Sequence, residues 1–66
     1  MAVLKVIELM ASSEKSFEDA VQNGVKKASE TIKHIRSAYV QDHSATVKDG
    51  KVHEYRVDLK ISFVVD

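Results

Sequence analysis

The chain has 66 residues, of which ten are basic and ten acidic, so its formal net charge is zero when the histidines are neutral. Such a balance provides no field to attract DNA, RNA or anionic lipid, which argues against nucleic-acid and membrane-surface partners. Cysteine is absent, which excludes a disulfide framework and Cys-ligated zinc. A domain this small buries little surface by itself, so we expect one domain over residues 1–66 that is stabilised by oligomerisation.

The chain also lacks the patterns of membrane insertion and export. No apolar run approaches the roughly 20 residues that span a bilayer, and the N-terminus lacks the basic-then-apolar layout of a signal peptide. These features predict a cytoplasmic protein.

The first predicted element is a strand over about residues 3–11, in a run rich in β-branched residues. Its apolar side chains fall on both faces, with Ile7 and Leu9 on one and Val6 and Met10 on the other. A strand with one solvated face alternates more cleanly. We therefore expect something to cover its second face.

The second predicted element is an amphipathic helix over about residues 16–35. Ser16 followed by Asp19 fits a capping box at its start. One apolar stripe follows the helical period and consists of Phe17, Ala20, Val21, Gly24, Val25, Ala28, Ile32 and Ile35. Gly24 lies on this stripe either because the helix approaches the sheet closely or because a glycine is simply tolerated.

Two strands, over about residues 37–48 and 51–65, complete the chain around an Asp49-Gly50 turn. A two-residue turn pairs Lys48 with Lys51 and Val40 with Leu59, and it places His43 opposite Arg56 on the face away from the helix. The predicted fold is α+β: a β-α-β-β chain whose antiparallel-rich, three-stranded sheet curls around one long helix.

The last strand is long, and its polar face carries charges of both signs. Fifteen residues extend to roughly 50 Å, which exceeds the helix, so part of the apolar face has no partner within the chain. Two open sheet edges also favour self-association. The alternating charges, Glu54, Arg56, Asp58 and Lys60, are typical of a solvated strand face, or they lie in a contact between subunits.

Catalytic motifs are not apparent, so we predict that the chain is not an enzyme. Two glycines are too few for the usual phosphate-binding loops, and no serine lies in a nucleophile elbow. The histidines, which are His34, His43 and His53, are spread over the chain and indicate ordinary side chains rather than a zinc site. The aspartates, which include Asp42, Asp49 and Asp58, do not form an EF-hand loop.

The order and wording of four segments resemble the dodecin family over essentially the whole chain. The segments are KVIEL at 5–9, SFEDA at 16–20, DGKV at 49–52, and YR at 55–56 running to ISF at 61–63. The resemblance implies a helix wrapped by a curled sheet. It also implies that twelve copies, arranged as trimers, form a hollow homododecamer of tetrahedral symmetry.

The resemblance further implies a binding or storage role without turnover. Dodecins bind flavins such as riboflavin or FMN, stacked on a tryptophan of the second strand and contacted by a glutamine of the third. Here those positions are Ser37 and Arg56, which implies weakened or absent flavin binding and similarity to the tryptophan-lacking calcium dodecins. Asp42 falls where some dodecins have a carboxylate linked to ions or subunit contacts, so Ca²⁺ or Mg²⁺ is an alternative ligand.

Ser37 and Arg56 are about 20 Å apart in the predicted hairpin, so a site that uses both must form between subunits. The expected ligand-binding residues are therefore Ser37, Arg56 and Asp42, with a small molecule or an ion held between copies. The alternative is a structural, scaffolding oligomer that has lost flavin binding.

Overall fold

A computed structural model describes residues 2–65 as one helix and three strands. In chain order the elements are β1 (Val3–Ser13), α1 (Phe17–Ser29), β2 (Ile35–Lys48) and β3 (Lys51–Val65). This order confirms the predicted β-α-β-β fold. Within the described residues no helix is both long enough and apolar enough to cross a membrane.

The last strand is the central strand of the sheet. The strand order is β1-β3-β2, and β3 is antiparallel to both neighbours. β1 and β2 consequently run in the same direction, and α1 crosses from one to the other over one face of the sheet. The molecule measures 50 × 20 × 13 Å, so the β2–β3 hairpin extends well beyond the 13-residue helix.

Buried apolar side chains fill the space between α1 and the sheet. The core consists of Ala20, Ala28, Val57, Leu59 and Ile61. The small residues of α1 allow the helix to lie close to the large side chains of β3. Because side chains alternate along a strand, the residues between the buried ones on β3 face away from the helix.

A network of hydroxyl and carboxylate groups fixes the start of α1. The backbone N–H of Asp19 donates to the hydroxyl of Ser16 at 3.0 Å, as the capping pattern predicts. The hydroxyl of Ser13 donates to the carboxylate of Asp19 at 2.6 Å and accepts from the backbone N–H of Lys15 at 2.9 Å. Ser13 is buried, so this network ties the end of β1 to the first turn of the helix.

The helix is shorter than the predicted range of 16–35, because it ends at Ser29. The backbone N–H groups of Thr31 and Ile32 both donate to the carbonyl of Ala28, which closes the last turn. Ile32 and Ile35 still pack against the core, from the connection and from β2 respectively. The apolar stripe therefore continues past the end of the helix, and for this reason the predicted range is too long.

Bulges change the pairing in the middle of the hairpin. The predicted pairs Lys48–Lys51 and Val40–Leu59 are present, but the register shifts by one residue at each end of the stretch between them. In that stretch His43 lies opposite Val57 rather than Arg56, so its predicted position on the face away from the helix is wrong. The His43 ring instead contacts Phe17 of α1, with ring centroids 5.0 Å apart.

Candidate functional site

The candidate site is the sheet face turned away from α1, which we call the outer face. On β3 this face carries Glu54, Arg56, Asp58, Lys60 and Ser62, which alternate with the core residues. Each has neighbours on the flanking strands: Arg56 lies opposite Ser12 and Ser44, and Asp58 lies opposite Met10 and Asp42. Among residues 2–65 no helix packs on the outer face.

All three residues predicted to bind ligand lie on the outer face, although they do not converge on one point. Ser37 and Arg56 are exposed, and Asp42 is exposed beside Asp58. Ser37 pairs with Ser62, which is six residues along β3 from Arg56, so the two positions are about 20 Å apart. One subunit thus presents the three side chains as separate contacts rather than as a closed pocket.

The environment of Ser37 has polar partners but no aromatic ring at that position. The hydroxyls of Ser37 and Ser62 are hydrogen-bonded to each other across the strands. Tyr39, two residues along β2, is 63% exposed and lies opposite Lys60. Around position 37 the outer face therefore offers hydroxyl groups, the Tyr39 ring and the Lys60 ammonium group, and a planar ligand there needs a stacking partner other than residue 37. Tyr39 was not predicted as a site residue because the resemblance places the ring at position 37.

Three carboxyl groups lie close together on the outer face. Asp58 is directly opposite Asp42 of β2. Glu8 of β1 is opposite Lys60, which is the next residue after Asp58 on the same face of β3. Hydrogen bonding to the Asp58 carboxyl, and then its negative charge, raise the pKa of Glu8, while Lys60 opposes the shift. One carboxylate oxygen of Asp58, Oδ1, is buried and has no hydrogen-bond partner among residues 2–65.

The sequence prediction missed Glu8, since the pairing of β1 with β3 was not anticipated. The sequence did contain a signal that Glu8 has a specific role, because it is a charged residue in a largely apolar strand. Among residues 2–65, no group of three or more His, Cys, Asp or Glu is arranged to hold a metal ion. A single copy of the described chain therefore does not fit a resident Ca²⁺ or Mg²⁺.

A second concave surface lies on the helix side of the sheet. It is a groove of about 510 Å³ between α1 and β1, lined mainly by apolar residues such as Ile7, Leu9, Ala28 and Ile32. None of the predicted ligand-binding residues lines it. The predicted ligand-binding residues and the three neighbouring carboxyl groups therefore all lie on the outer face and not in this groove.

Comparison with known proteins agrees with the fold and the segment order. The family model described as Dodecin matches residues 3–66. Dodecin from Thermus thermophilus is 33% identical over 61 residues, which cover 92% of this chain and 88% of the relative. Calcium dodecin from Mycobacterium tuberculosis is 33% identical over 63 residues, which cover 96% of this chain and 89% of the relative.

Solved structures give the same result. Dodecin from Streptomyces coelicolor superposes with a TM-score of 0.95 at 28% identity, covering 98% of this chain and 93% of that chain. The crystal structure of the Mycobacterium tuberculosis protein, described as a calcium-chelating antigen with a novel calcium-binding site, has a TM-score of 0.85 at 34% identity. It covers 97% of this chain and 91% of that chain. With a matching family model, two relatives at 33% identity and the same fold throughout, the chain belongs to the dodecin family.

Proposed function

We propose that this protein is a non-enzymatic homododecamer that stores or sequesters a small ligand, of the flavin class, at sites between its subunits. The observation that carries the proposal is the placement of Ser37, Asp42 and Arg56 on one open sheet face, too far apart to enclose a ligand within one chain. A second subunit is needed to close such a site.

Large apolar side chains that are exposed on the outer face support the proposal that the protein assembles. Leu4, Val6 and Met10 alternate along β1 on this face and are 52%, 57% and 64% exposed. Tyr39 adds an exposed aromatic ring on β2. A monomer of this size gains stability when such side chains are covered, at roughly 25 cal/mol per Å² of apolar surface.

Ring stacking determines how tightly the proposed site would hold a flavin. An aromatic side chain beneath a planar base contributes roughly 1 to 3 kcal/mol, and a serine at position 37 provides none of it. Arg56 offers a planar, permanently charged group that suits a ring face or a phosphate. We therefore propose binding that is about one to two orders of magnitude weaker than with a ring at position 37.

The test is a riboflavin titration followed by fluorescence quenching, on the wild-type protein and on Ser37→Trp. We expect weak quenching for the wild type and an affinity about 10- to 100-fold higher for Ser37→Trp. Ala45→Trp places the same ring at another exposed position of β2 and is the matched control. If Ser37→Trp binds no better than Ala45→Trp, the flavin proposal is wrong.

A second candidate, an ion-binding or purely structural oligomer, is favoured by the carboxyl groups of Glu8, Asp42 and Asp58. They offer the oxygen donors that Ca²⁺ prefers, but within one copy of the described chain they are not arranged to hold a metal ion, so an ion site needs carboxyl groups from a second copy as well. The relative from Mycobacterium tuberculosis is named for calcium. Calorimetric titration of the assembled protein with Ca²⁺ distinguishes an ion-binding oligomer from a purely structural one. Heat that disappears in Asp58→Asn supports an ion site, whereas no heat, together with no flavin quenching, supports the structural role.

A further inference from the structure

Tyr39 differs from the other aromatic residues of the chain because it is exposed. The sequence has two tyrosines, two phenylalanines and no tryptophan. Phe17, Tyr55 and Phe63 are half-buried, and the rings of Phe17 and Tyr55 meet edge to face with their centroids 5.0 Å apart. Tyr39 is 63% exposed, and none of the ring contacts found among residues 2–65 involves it. Its large, flat apolar ring is therefore available to a ligand.

Tyr39 lies on the outer face beside the position at which the family resemblance places a ring. The pairing of β2 with β3 has no shift between Ser37 and Val40. Ser37 and Tyr39 are two residues apart, so they point to the same side of the sheet with about 6.6 Å between them. A planar ligand with several fused rings that stacks on Tyr39 can consequently extend over Ser37 as well.

Polar groups beside the Tyr39 ring suit the edge of such a ligand. The hydroxyls of Ser37 and Ser62 are hydrogen-bonded to each other, and each of them can both donate and accept. Lys60 is directly opposite Tyr39 and adds an ammonium donor. Glu8 lies opposite Lys60 on its other side and offsets its positive charge. The surroundings therefore favour an uncharged heteroaromatic ring whose edge carries carbonyl oxygens and N–H groups.

We infer that Tyr39 is the side chain on which the ligand ring stacks, in place of the ring that is missing at position 37. The inference rests on the proposed flavin function and deepens it, since it assigns the ring face to Tyr39 and the ring edge to Ser37, Ser62 and Lys60. Arg56 is the other planar group of the outer face, but it lies six residues along β3 from Ser62. That separation of about 20 Å keeps Arg56 away from these polar groups within one subunit.

The first test is the affinity of the assembled, ligand-free protein for riboflavin, measured by equilibrium dialysis. Tyr39→Leu keeps an apolar side chain but removes the ring, and it should weaken binding by at least about fivefold. Tyr39→Phe is the matched control because it retains the ring and removes only the hydroxyl. We expect its affinity to stay within about twofold of the wild type.

The second test observes the ring directly by fluorine NMR on protein labelled with fluorotyrosine. The chain has two tyrosines, so the spectrum is simple, and the signal that disappears in Tyr39→Phe belongs to Tyr39. Riboflavin should shift the Tyr39 signal, because a stacked ring lies directly over it. The Tyr55 signal is the internal control and should not move, since the Tyr55 ring packs against Phe17 of α1.

The outcomes separate this inference from the proposed function. If neither the wild type nor Ser37→Trp binds riboflavin, both are wrong. The stacking role of Tyr39 alone is wrong if Ser37→Trp binds and the wild type does not, or if Tyr39→Leu binds as tightly as the wild type. An equal loss in Tyr39→Phe and Tyr39→Leu, or an unshifted Tyr39 signal in the riboflavin complex, also overturns it.

Assembly must be the same in every protein that is compared, because the proposed site forms between subunits. Native mass spectrometry measures the copy number of the wild type and of each variant. If Tyr39→Leu does not assemble as the wild type does, Tyr39→Met takes its place, since methionine fills a similar volume without a ring. The same loss of at least about fivefold is expected for Tyr39→Met, and wild-type affinity in that variant overturns the inference.

Discussion

Gly24 of α1 and Leu59 of β3 approach so closely that there is no room for a side chain at position 24. A Cβ atom there would lie 2.8 Å from Cδ1 of Leu59, 3.1 Å from Cβ of Ala11 and 3.3 Å from Cδ1 of Leu9. Of the two explanations that the sequence leaves open for this glycine, the structure supports close approach. The glycine brings the helix onto the center of the sheet.

Gly24→Ala should therefore destabilise the protein although alanine is the better helix former. The gain in helix propensity is about 1 kcal/mol, whereas forcing a methyl group into a packed core costs about 1–3 kcal/mol. We expect a net loss of about 1 kcal/mol in the free energy of unfolding. Urea denaturation at one fixed protein concentration measures it, and a stabilised variant would contradict the close-packing explanation.

Gly50→Ala tests a glycine that is required for a different reason. Its φ is +74°, in the left-handed region, and no atom lies within 4 Å of where a Cβ would be. The expected loss is about 1–2 kcal/mol from backbone strain alone. Gly50→Asn is the control, because asparagine tolerates this region, and it should retain more stability in the same urea assay. Equal losses in both variants would argue against a strained turn.

Ser13→Ala should weaken the joint between β1 and α1. It removes the donor to the Asp19 carboxylate and the acceptor for the Lys15 N–H, both in a part-buried setting. Leaving such groups unsatisfied costs about 1–3 kcal/mol. Ser29→Ala is the matched control, since the exposed Ser29 hydroxyl only donates back to the carbonyl of Val25. If the two variants have the same thermal midpoint, the Ser13 network does not contribute to stability.

Glu8→Gln should change how stability depends on pH. Asp58 raises the pKa of Glu8 above its ordinary value of 4.5, so the folded chain binds this proton more tightly than the unfolded chain does. The resulting stabilisation is fully present below pH 4.5 and is lost as the pH rises through the folded pKa. Over that rise, the unfolding free energy of Glu8→Gln should fall less than that of the wild type.

The measurement is a series of urea unfolding curves across that pH range, at constant protein concentration and ionic strength. Glu14→Gln removes an exposed carboxylate from the loop after β1 and is the charge-matched control, which should keep the wild-type slope. Asp58→Asn removes the carboxyl group that raises the pKa of Glu8. Like Glu8→Gln, it should make the free energy of unfolding depend less on pH. A slope that Glu8→Gln leaves unchanged would show that this pair does not control the pH dependence.

The element order could be predicted from the sequence because each element has a strong local signal. The capping residue Ser16, the alternation of β3 and the Asp49-Gly50 turn are local features, and they all agree with the structure. The end of α1 could not be predicted, because neither glycine nor proline marks it and Ile32 continues the apolar stripe. The bulges could not be predicted either, since they depend on how the hairpin bends around the helix.

For the site, the sequence and the family resemblance indicated residues but not their neighbours. Ser37, Asp42 and Arg56 could be chosen by their positions along the chain. The contact between Glu8 and Asp58 depends on which strand pairs with which, and that pairing joins residues about 50 positions apart. Local patterns contain little information about such distant pairs, so the carboxyl cluster became visible only in the folded chain.

The central position of β3 also has a consequence for how the protein is made. β1 is synthesised first, yet all its strand partners belong to β3, so Val3 pairs with Val65. β1 therefore has no strand partner until the last strand has been translated. Pairings this distant in sequence form slowly. A chain that lacks β3 has none of the native strand pairs, so the native sheet begins to form only when β3 is synthesised.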